Sequence, residues 1–377
     1  MNFQIENIGW TLGNDCPYRC THCYSTIVRN KGKDLEISHI DRIVSQLSSI
    51  GVKTVNLGGN EPLFTNGPDP NKSLLPYIIQ SLYEAGIVVG LTTSGITLKY
   101  LVEEYFSVFK LLNDIDISLD SPFAEEHNQN RGANLFSLAL RALDYCVQYD
   151  KPHTIVMCGM QWNLSSSHLS ELIKIAKSKN AFIRINYLKP TEPQHVSLLP
   201  TFDQFYLSSK MLLEEVRVVE LGEPLIASMI GYHKKGCPCG TKSFRIHSIT
   251  PDGKIPVSPC VYAHEFKYGD LLVDSLVDII NSKPFQEFRD RRSLLNVPEG
   301  CNGCKFLESC RGGCASRSYL VPQSQEGHLF NNKTDYSDVY CYRDITKPIP
   351  KITLKGSDTN HLLVHRDYLC TLIVNPN

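Results

Sequence analysis

Three cysteines close to the amino terminus, in the run Cys16-Pro17-Tyr18-Arg19-Cys20-Thr21-His22-Cys23, carry the spacing C-x3-C-x2-C. Three thiolates on one short loop suit a cubane iron–sulfur cluster, whose irons need four ligands in all. One iron is then left open to a small molecule. A structural zinc site is the other chemistry for such a loop, and it needs a fourth Cys or His close by. His22 stands between two of the cysteines and is poorly placed to serve, so the cluster is the expected occupant.

A second group comprises Cys237, Cys239, Cys260, Cys301, Cys304, Cys310, Cys314 and Cys341. Of the 14 cysteines this leaves Cys146, Cys158 and Cys370, which read as isolated buried thiols. The start of the chain lacks the basic and apolar regions of a secretion signal. No apolar run reaches the roughly 18–20 residues that span a bilayer. A cytoplasmic protein without a membrane partner is expected, and there close-spaced cysteines hold metal or do redox chemistry rather than form stable disulfides. The net charge of -1, with no basic cluster, argues against a nucleic-acid partner.

The elements that position the first loop are legible as an alternation of strand and helix. After a first strand around Ile5–Leu12, short β-branched apolar runs recur at Val52–Leu57, Ile87–Leu91, Ile115–Leu119, Thr154–Met157 and Phe182–Tyr187. Stretches of helical period separate them, such as Ile40, Ile43, Val44 and Leu47, with Ser38 and Asp41 as the expected amino-terminal cap. Asp203 is expected to open a later helix. Six such units with right-handed crossovers predict an α/β fold, a partial (β/α)6 TIM-like barrel with a parallel sheet. Loops after the carboxyl ends of the strands then carry the chemistry, and the three-cysteine loop is the first of them. Past about Glu220 the alternation stops and Gly, Pro and Cys become frequent. The expected division is 1–219 for the barrel, 220–345 for a cysteine-rich domain and 346–377 for a tail, whose Leu362, Leu363 and Val364 close a barrel edge.

The C-x3-C-x2-C loop and the segments that follow resemble those of the radical S-adenosylmethionine (SAM) enzymes. Gly58-Gly59-Asn60-Glu61-Pro62, after strand two, is similar to that superfamily's Gly-Gly-Glu-Pro segment with one extra Asn. Thr92-Thr93-Ser94-Gly95 follows strand three as a Thr-rich segment does in relatives. Ser118-Leu119-Asp120-Ser121-Pro122, with His127 and Arg131-Gly132, resembles the strand-four signature of peptide-modifying members. The resemblance implies that SAM is held on the open iron and cleaved to a 5′-deoxyadenosyl radical, which abstracts hydrogen from substrate. It implies SAM contacts from the Gly59–Glu61 segment, Thr93, Ser118 at the ribose, Arg131 at the carboxylate, and His22 and Leu188 near the adenosine. Asn163, after strand five, is read either as facing SAM or as capping its own loop.

The second cysteine group resembles the SPASM extension of the same superfamily: Cys239, Gly253, Cys260, then Cys301-x2-Cys304-x5-Cys310-x3-Cys314, then Cys341. Gly253 sits two residues further from Cys260 than the usual pattern. By analogy Cys301, Cys304, Cys310 and Cys341 hold a distal auxiliary cluster, while Cys239, Cys260 and Cys314 hold a nearer one with Cys237 as candidate fourth ligand. Three [4Fe–4S] clusters in all are implied, with a flavodoxin- or ferredoxin-type reductant. Relatives that mature sulfatases carry an Asp after the position of Cys260, where this chain has Val261. Only fifteen residues precede Cys16, so any leader peptide is expected to be held by a separate protein or by another surface.

These features imply oxidative modification, such as a cross-link, of a ribosomally made peptide or a protein side chain. The alternatives are a small-molecule radical SAM dehydrogenase and, in another class, a non-catalytic multi-cluster electron carrier. Tyr24, Tyr187 and Tyr262 are candidates to face the cavity, and the catalytic acid or base is unknown. His195, His233, His247 and His264 read as surface or loop residues.

Overall fold

The computed structural model describes residues 5–25, 32–232, 236–263, 266–290, 297–326 (backbone alone over 322–326), 337–343, 345 and 348–377. Six strands follow the expected runs: β1 (Asn7–Thr11), β2 (Thr54–Gly58), β3 (Val88–Thr93), β4 (Asp114–Ser118), β5 (His153–Gly159) and β6 (Phe182–Tyr187). All are parallel and adjacent in chain order. Helices pack between them: α1 (Ile37–Ser49), α2 (Leu75–Glu84), α3 (Ile96–Glu104), the single turn α4 (Phe106–Phe109), α5 (Ala124–Arg131), α6 (Phe136–Gln148) and α7 (Ser166–Ser178).

The helices form for the reason the spacing gave. In α1 the residues buried against the sheet are Ile40, Ile43, Val44 and Leu47, one stripe of a 3.6-residue repeat. Each such side chain contributes about 1.5–3 kcal/mol when fully removed from water. The caps differ from expectation. α1 starts two residues earlier, with Glu36 as N-cap in a reciprocal pair with His39, so Ser38 and Asp41 lie inside the helix. The helix Phe202–Glu215 (α8) is opened by Thr201, whose hydroxyl accepts from the Gln204 amide, and Asp203 sits in its first turn.

Four strands lie beyond the six: β7 (Arg217–Leu221), β8 (Ser243–Ile246), β9 (Val257–Ser258) and β10 (Leu372–Asn375). The sheet order is β7-β10-β6-β5-β4-β3-β2-β1-β8-β9, an open partial barrel rather than a closed one. β8 extends the sheet in parallel beyond β1, with β9 antiparallel to it. β10 runs antiparallel between β6 and β7. The sheet therefore continues through residue 219 into the cysteine-rich part and is completed by the carboxyl-terminal strand.

The tail does more than close an edge. Leu362 is exposed, whereas Leu363 and Val364 are buried, and Val364 donates its amide to the Asp114 carboxylate at the start of β4. Asn7 at the other side of the barrel donates to the carbonyl of Arg366, and Ser243 to that of Tyr368. The tail thus crosses under the barrel strands. Gly9 of β1 makes room for it: a Cβ there would lie 1.5 Å from the Tyr368 hydroxyl and 2.6 Å from Cζ of Arg245. Gly9→Ala is expected to destabilise the chain by about 1–3 kcal/mol, the usual cost of overpacking a filled core. Tyr368→Phe, which removes the clashing hydroxyl, should recover part of that loss in urea unfolding; additive costs in the double variant would contradict this packing.

Candidate active site

At the carboxyl ends of the strands a cavity of about 1130 Å³, open at its mouth, collects residues from almost every βα loop. Cys16, Cys20 and Cys23 line it from the loop after β1. That loop is docked on the last turn of α5: the amides of Arg19 and Thr21 donate to the carbonyls of Arg131 and Asn130, and the Thr21 hydroxyl to the Asn130 side chain. Gly59 turns at φ +88, against Thr11, where a Cβ would meet the Thr11 methyl at 2.2 Å. Only glycine fits such a close, left-handed position without displacement.

Asp120 organises this end. Its Oδ2 accepts from Nε of Arg131 at 2.7 Å and from the Asn130 amide at 2.9 Å, and its Oδ1 from the Cys158 backbone at 3.0 Å. Nε2 of His22 lies 3.7 Å from the same carboxylate. Asp120 is fully buried, which by itself would raise it, yet above all the Arg131 cation holds it ionised, well below the usual carboxylate range. Burial pushes the His22 ring down and the Arg131 cation acts in the same direction, while the Asp120 carboxylate opposes both. Arg131 also reaches Sγ of Cys20 at 3.9 Å, which places a positive charge on the three-thiol loop.

The other residues singled out from sequence divide in two. His22, Gly59, Glu61, Thr93, Ser118, Arg131 and Leu188 all line the cavity, as do Tyr24, Tyr187, Val261 and Tyr262. Glu61 spends its carboxylate on the β3 loop, accepting from Thr93, Thr97 and both the amide and hydroxyl of Ser94. It therefore offers backbone rather than charge to a ligand. Asn163 is fully buried outside the cavity lining, with its amide on the carbonyls of Asp120 and Cys158. Of the two readings for Asn163, loop capping is the one its contacts match.

Sequence reading missed the cavity floor. Arg184 of β6, Arg245 of β8 and His365 of the tail all line it. Asp116 of β4 holds this group, 2.9 Å from Arg184 and 2.5 Å from Nδ1 of His365. Asp114, Asp116 and His365 converge as metal ligands would, but the Arg184 guanidinium already supplies their countercharge. Among the described residues, buried polar atoms without a protein partner include Asn60 Oδ1, Asn186 Oδ1, and Nε and Nη1 of both Arg184 and Arg245. All four residues line the cavity. Polar groups left so in a buried site call for ordered water or a ligand that carries both donors and acceptors. The three thiols at the rim and these groups below them fit a cluster with a polar small molecule on it.

Two isolated thiols and two histidines lie elsewhere than their sequence context suggests. Cys146 is buried in the apolar core as expected, but Cys158 lines the cavity and Cys370 packs among other cysteines. His195 and His247 are buried, the latter 2.7 Å from the Ser258 hydroxyl; His233 and His264 lie outside the described residues.

The second cysteine group falls at two places. Cys301, Cys304, Cys310 and Cys341 line a smaller cavity of about 420 Å³, and burial pushes the Cys310 thiol up to about 12. Cys237, Cys239, Cys260 and Cys314 share one buried cluster, with Ser316 donating to Sγ of Cys260 at 3.3 Å. Between them Arg317, fully buried, pairs with Glu223 at 2.7 and 3.0 Å and with Asp338, whose Oδ2 accepts from the Cys314 amide at 2.7 Å.

A thiol-rimmed cavity at the carboxyl end of a parallel partial barrel, joined to a cysteine-rich carboxyl-terminal part, defines a class that the comparisons bear out. The model of the radical SAM superfamily matches residues 10–172, and that of the SPASM iron–sulfur cluster-binding domain matches residues 237–305. The chain thus carries a radical SAM domain followed by a SPASM domain. It is 25% identical over 370 residues to the mycofactocin maturase MftC of Mycobacterium tuberculosis, covering 90% of each chain. It is 23% identical over 212 residues to a probable GTP 3′,8-cyclase of Pyrococcus abyssi, covering 56% of this chain. The fold is similar to that of anSMEcpe with bound AdoMet (TM-score 0.63, 18% identity, 90% of this chain and 94% of that one). It is similar too to Streptococcus suis SuiB bound to precursor peptide SuiA (TM-score 0.59, 16% identity, 90% and 76%). The radical SAM match sets aside the non-catalytic electron carrier.

Two outcomes follow for the cluster-free protein. Asp120→Asn is expected to cost about 3–5 kcal/mol, because it strands the buried Arg131 cation. Adding Arg131→Met should return most of that, as read by urea unfolding. Burial also pushes His127 and His365 down to about 4, from 6.5 in the unfolded chain. Unfolding takes up protons there, so stability should fall as pH drops from about 6.5 to 4. Asp114, raised to about 7 by burial and by Asp116, acts oppositely and removes stability up to that pH. Asp114→Asn should therefore steepen the rise of the melting temperature between pH 4 and 6.5.

Proposed function

We propose that this chain is a cytoplasmic peptide maturase. It would use three [4Fe–4S] clusters, one held by Cys16, Cys20 and Cys23 and two by the SPASM cysteines, to modify a ribosomally made peptide oxidatively. The observation that carries the reading is a shared cavity. Its walls include the three-thiol loop at one side and Val261 and Tyr262, next to Cys260, at the other. Similarity to a maturase along 90% of both chains supports the same substrate class.

Cys16, Cys20 and Cys23 would hold a cluster that, with SAM bound in the cavity, would supply the radical chemistry for hydrogen abstraction from the peptide. The chain's own residues bind and orient. Gly59 brings main chain close to the ligand, while His22, Leu188 and the β4 terminus at Ser118 shape the adenosine side. Arg131, already fixed by Asp120, presents its charge beside Cys20. Tyr24 stands edge-on to Tyr262 at 5.3 Å, and Nζ of Lys189 lies 5.2 Å over the Tyr262 ring. These aromatic walls exclude water where a radical must survive. Val261 offers no carboxylate, so a substrate proton has to leave by another group, and His365 with Asp116 faces the same space. A flavodoxin- or ferredoxin-type protein is the proposed electron source, and a separate protein the proposed leader holder.

Anaerobically reconstituted protein should hold about twelve irons and the Cys16/Cys20/Cys23→Ala variant about eight, since each cubane holds four. With SAM, reductant and a short peptide encoded beside the gene, the peptide should lose hydrogen pairs by mass spectrometry. A product of unchanged composition, or turnover of a small molecule alone, would contradict the oxidative peptide reading.

A further inference from the structure

Where the nearer auxiliary cluster would sit, the chain brings five thiols to a centre that needs four. Cys237, Cys239, Cys260, Cys314 and Cys370 are all at most 4% exposed and belong to one packed group. The Cys239 thiol contacts those of Cys237 and Cys260. The Cys370 thiol contacts those of Cys237 and Cys314. The contacts therefore run Cys260, Cys239, Cys237, Cys370, Cys314.

Cys370 is held there from both sides. The Tyr368 carbonyl accepts from Ser243 at 2.7 Å, the Cys370 carbonyl from Nζ of Lys189 at 3.3 Å, and the Thr371 carbonyl from the Gly222 amide at 2.7 Å. β10 begins two residues later, between β6 and β7. A thiol kept for packing meets apolar side chains, as Cys146 does in α6. Cys370 meets thiols as well as apolar side chains, at a position the sheet fixes.

We propose that Cys370 is an iron ligand of the nearer auxiliary cluster, completing Cys239, Cys260 and Cys314, and that Cys237 is the thiol left over. Cys237 is the middle member of the contact series. Without it, two contacting pairs remain, Cys239 with Cys260 and Cys314 with Cys370, and the four thiols come from four separate segments of the chain. Cys237 and Cys239 are also only one residue apart, whereas Cys370 comes from a separate segment. The cluster would then tie the carboxyl-terminal tail to the SPASM cysteines and leave every one of its irons ligated by the chain. The assignment rests on the auxiliary-cluster reading above.

The test starts from the Cys16/Cys20/Cys23→Ala variant, which carries auxiliary clusters alone, and adds Cys237→Ser or Cys370→Ser. Iron and sulfide content are measured with the electron paramagnetic resonance spectrum of the reduced protein. The parent is expected to hold about eight irons per chain. Cys237→Ser should keep them and the parent spectrum. Cys370→Ser should fall toward four, or keep eight with one of two signals shifted by an oxygen ligand. Loss in Cys237→Ser with Cys370→Ser unchanged overturns the assignment. Cys237→Ser leaves Cys370 untouched, so its iron content decides the matter even if Cys370→Ser misfolds. A parent with four irons or fewer overturns the auxiliary-cluster reading itself, a result distinct from either variant's.

Discussion

The buried carboxylate of Asp120 is the constraint on which the reactive end of the barrel depends. An ionised group out of water is sustained only by opposite charge and hydrogen bonds that saturate it. Here Arg131, Asn130 and the Cys158 amide do so, and each brings a different element with it. Arg131 and Asn130 bring the end of α5, on which the three-cysteine loop is docked through Arg19 and Thr21. Cys158 brings β5, and the Asp120 carbonyl holds Asn163 of the next loop. Loops that would otherwise move independently are thus fixed to one anion, and the thiols they carry keep their relative positions before any cluster arrives.

The cysteine-rich part repeats the device. Arg317 is fully buried between Glu223 and Asp338, and Asp338 in turn caps the Cys314 amide. This network lies between the group around Cys260 and the cavity around Cys301. It joins the helix Pro224–Met229, which begins just past Glu223, to the helix Ala315–Glu326, which carries Arg317. In both halves of the chain a saturated buried charge, rather than a large apolar core, sets the geometry around thiols. The carboxyl-terminal tail links the halves by crossing under the barrel and ending as a strand of its sheet.

The six parallel strands were legible because each is a short apolar run, buried on both faces and separated by helical repeats. The cluster loop was legible because cysteine spacing is chemistry in itself. β7, β8 and β10 were not, since their partners lie far away in sequence: β10 pairs with β6 nearly two hundred residues earlier. The cavity floor was hidden for the same reason. Arg184 sits inside an apolar strand run, and His365 reaches Asp116 only because the tail folds beneath the barrel. Cys370 looked like a lone thiol because no other cysteine lies near it in the sequence. The cap of α1 was misplaced by one competing polar residue, Glu36, which lies just before the predicted Ser38.

The central claim is that the loop of Cys16, Cys20 and Cys23 makes this chain a SAM-cleaving enzyme. The most direct test is 5′-deoxyadenosine formation under anaerobic conditions, with dithionite and SAM, on reconstituted wild type and on Cys20→Ala. Wild type is expected to give product at more than one equivalent per chain and the variant none above background. Equal formation by both proteins, or none from wild type with its clusters fully loaded, would contradict that claim.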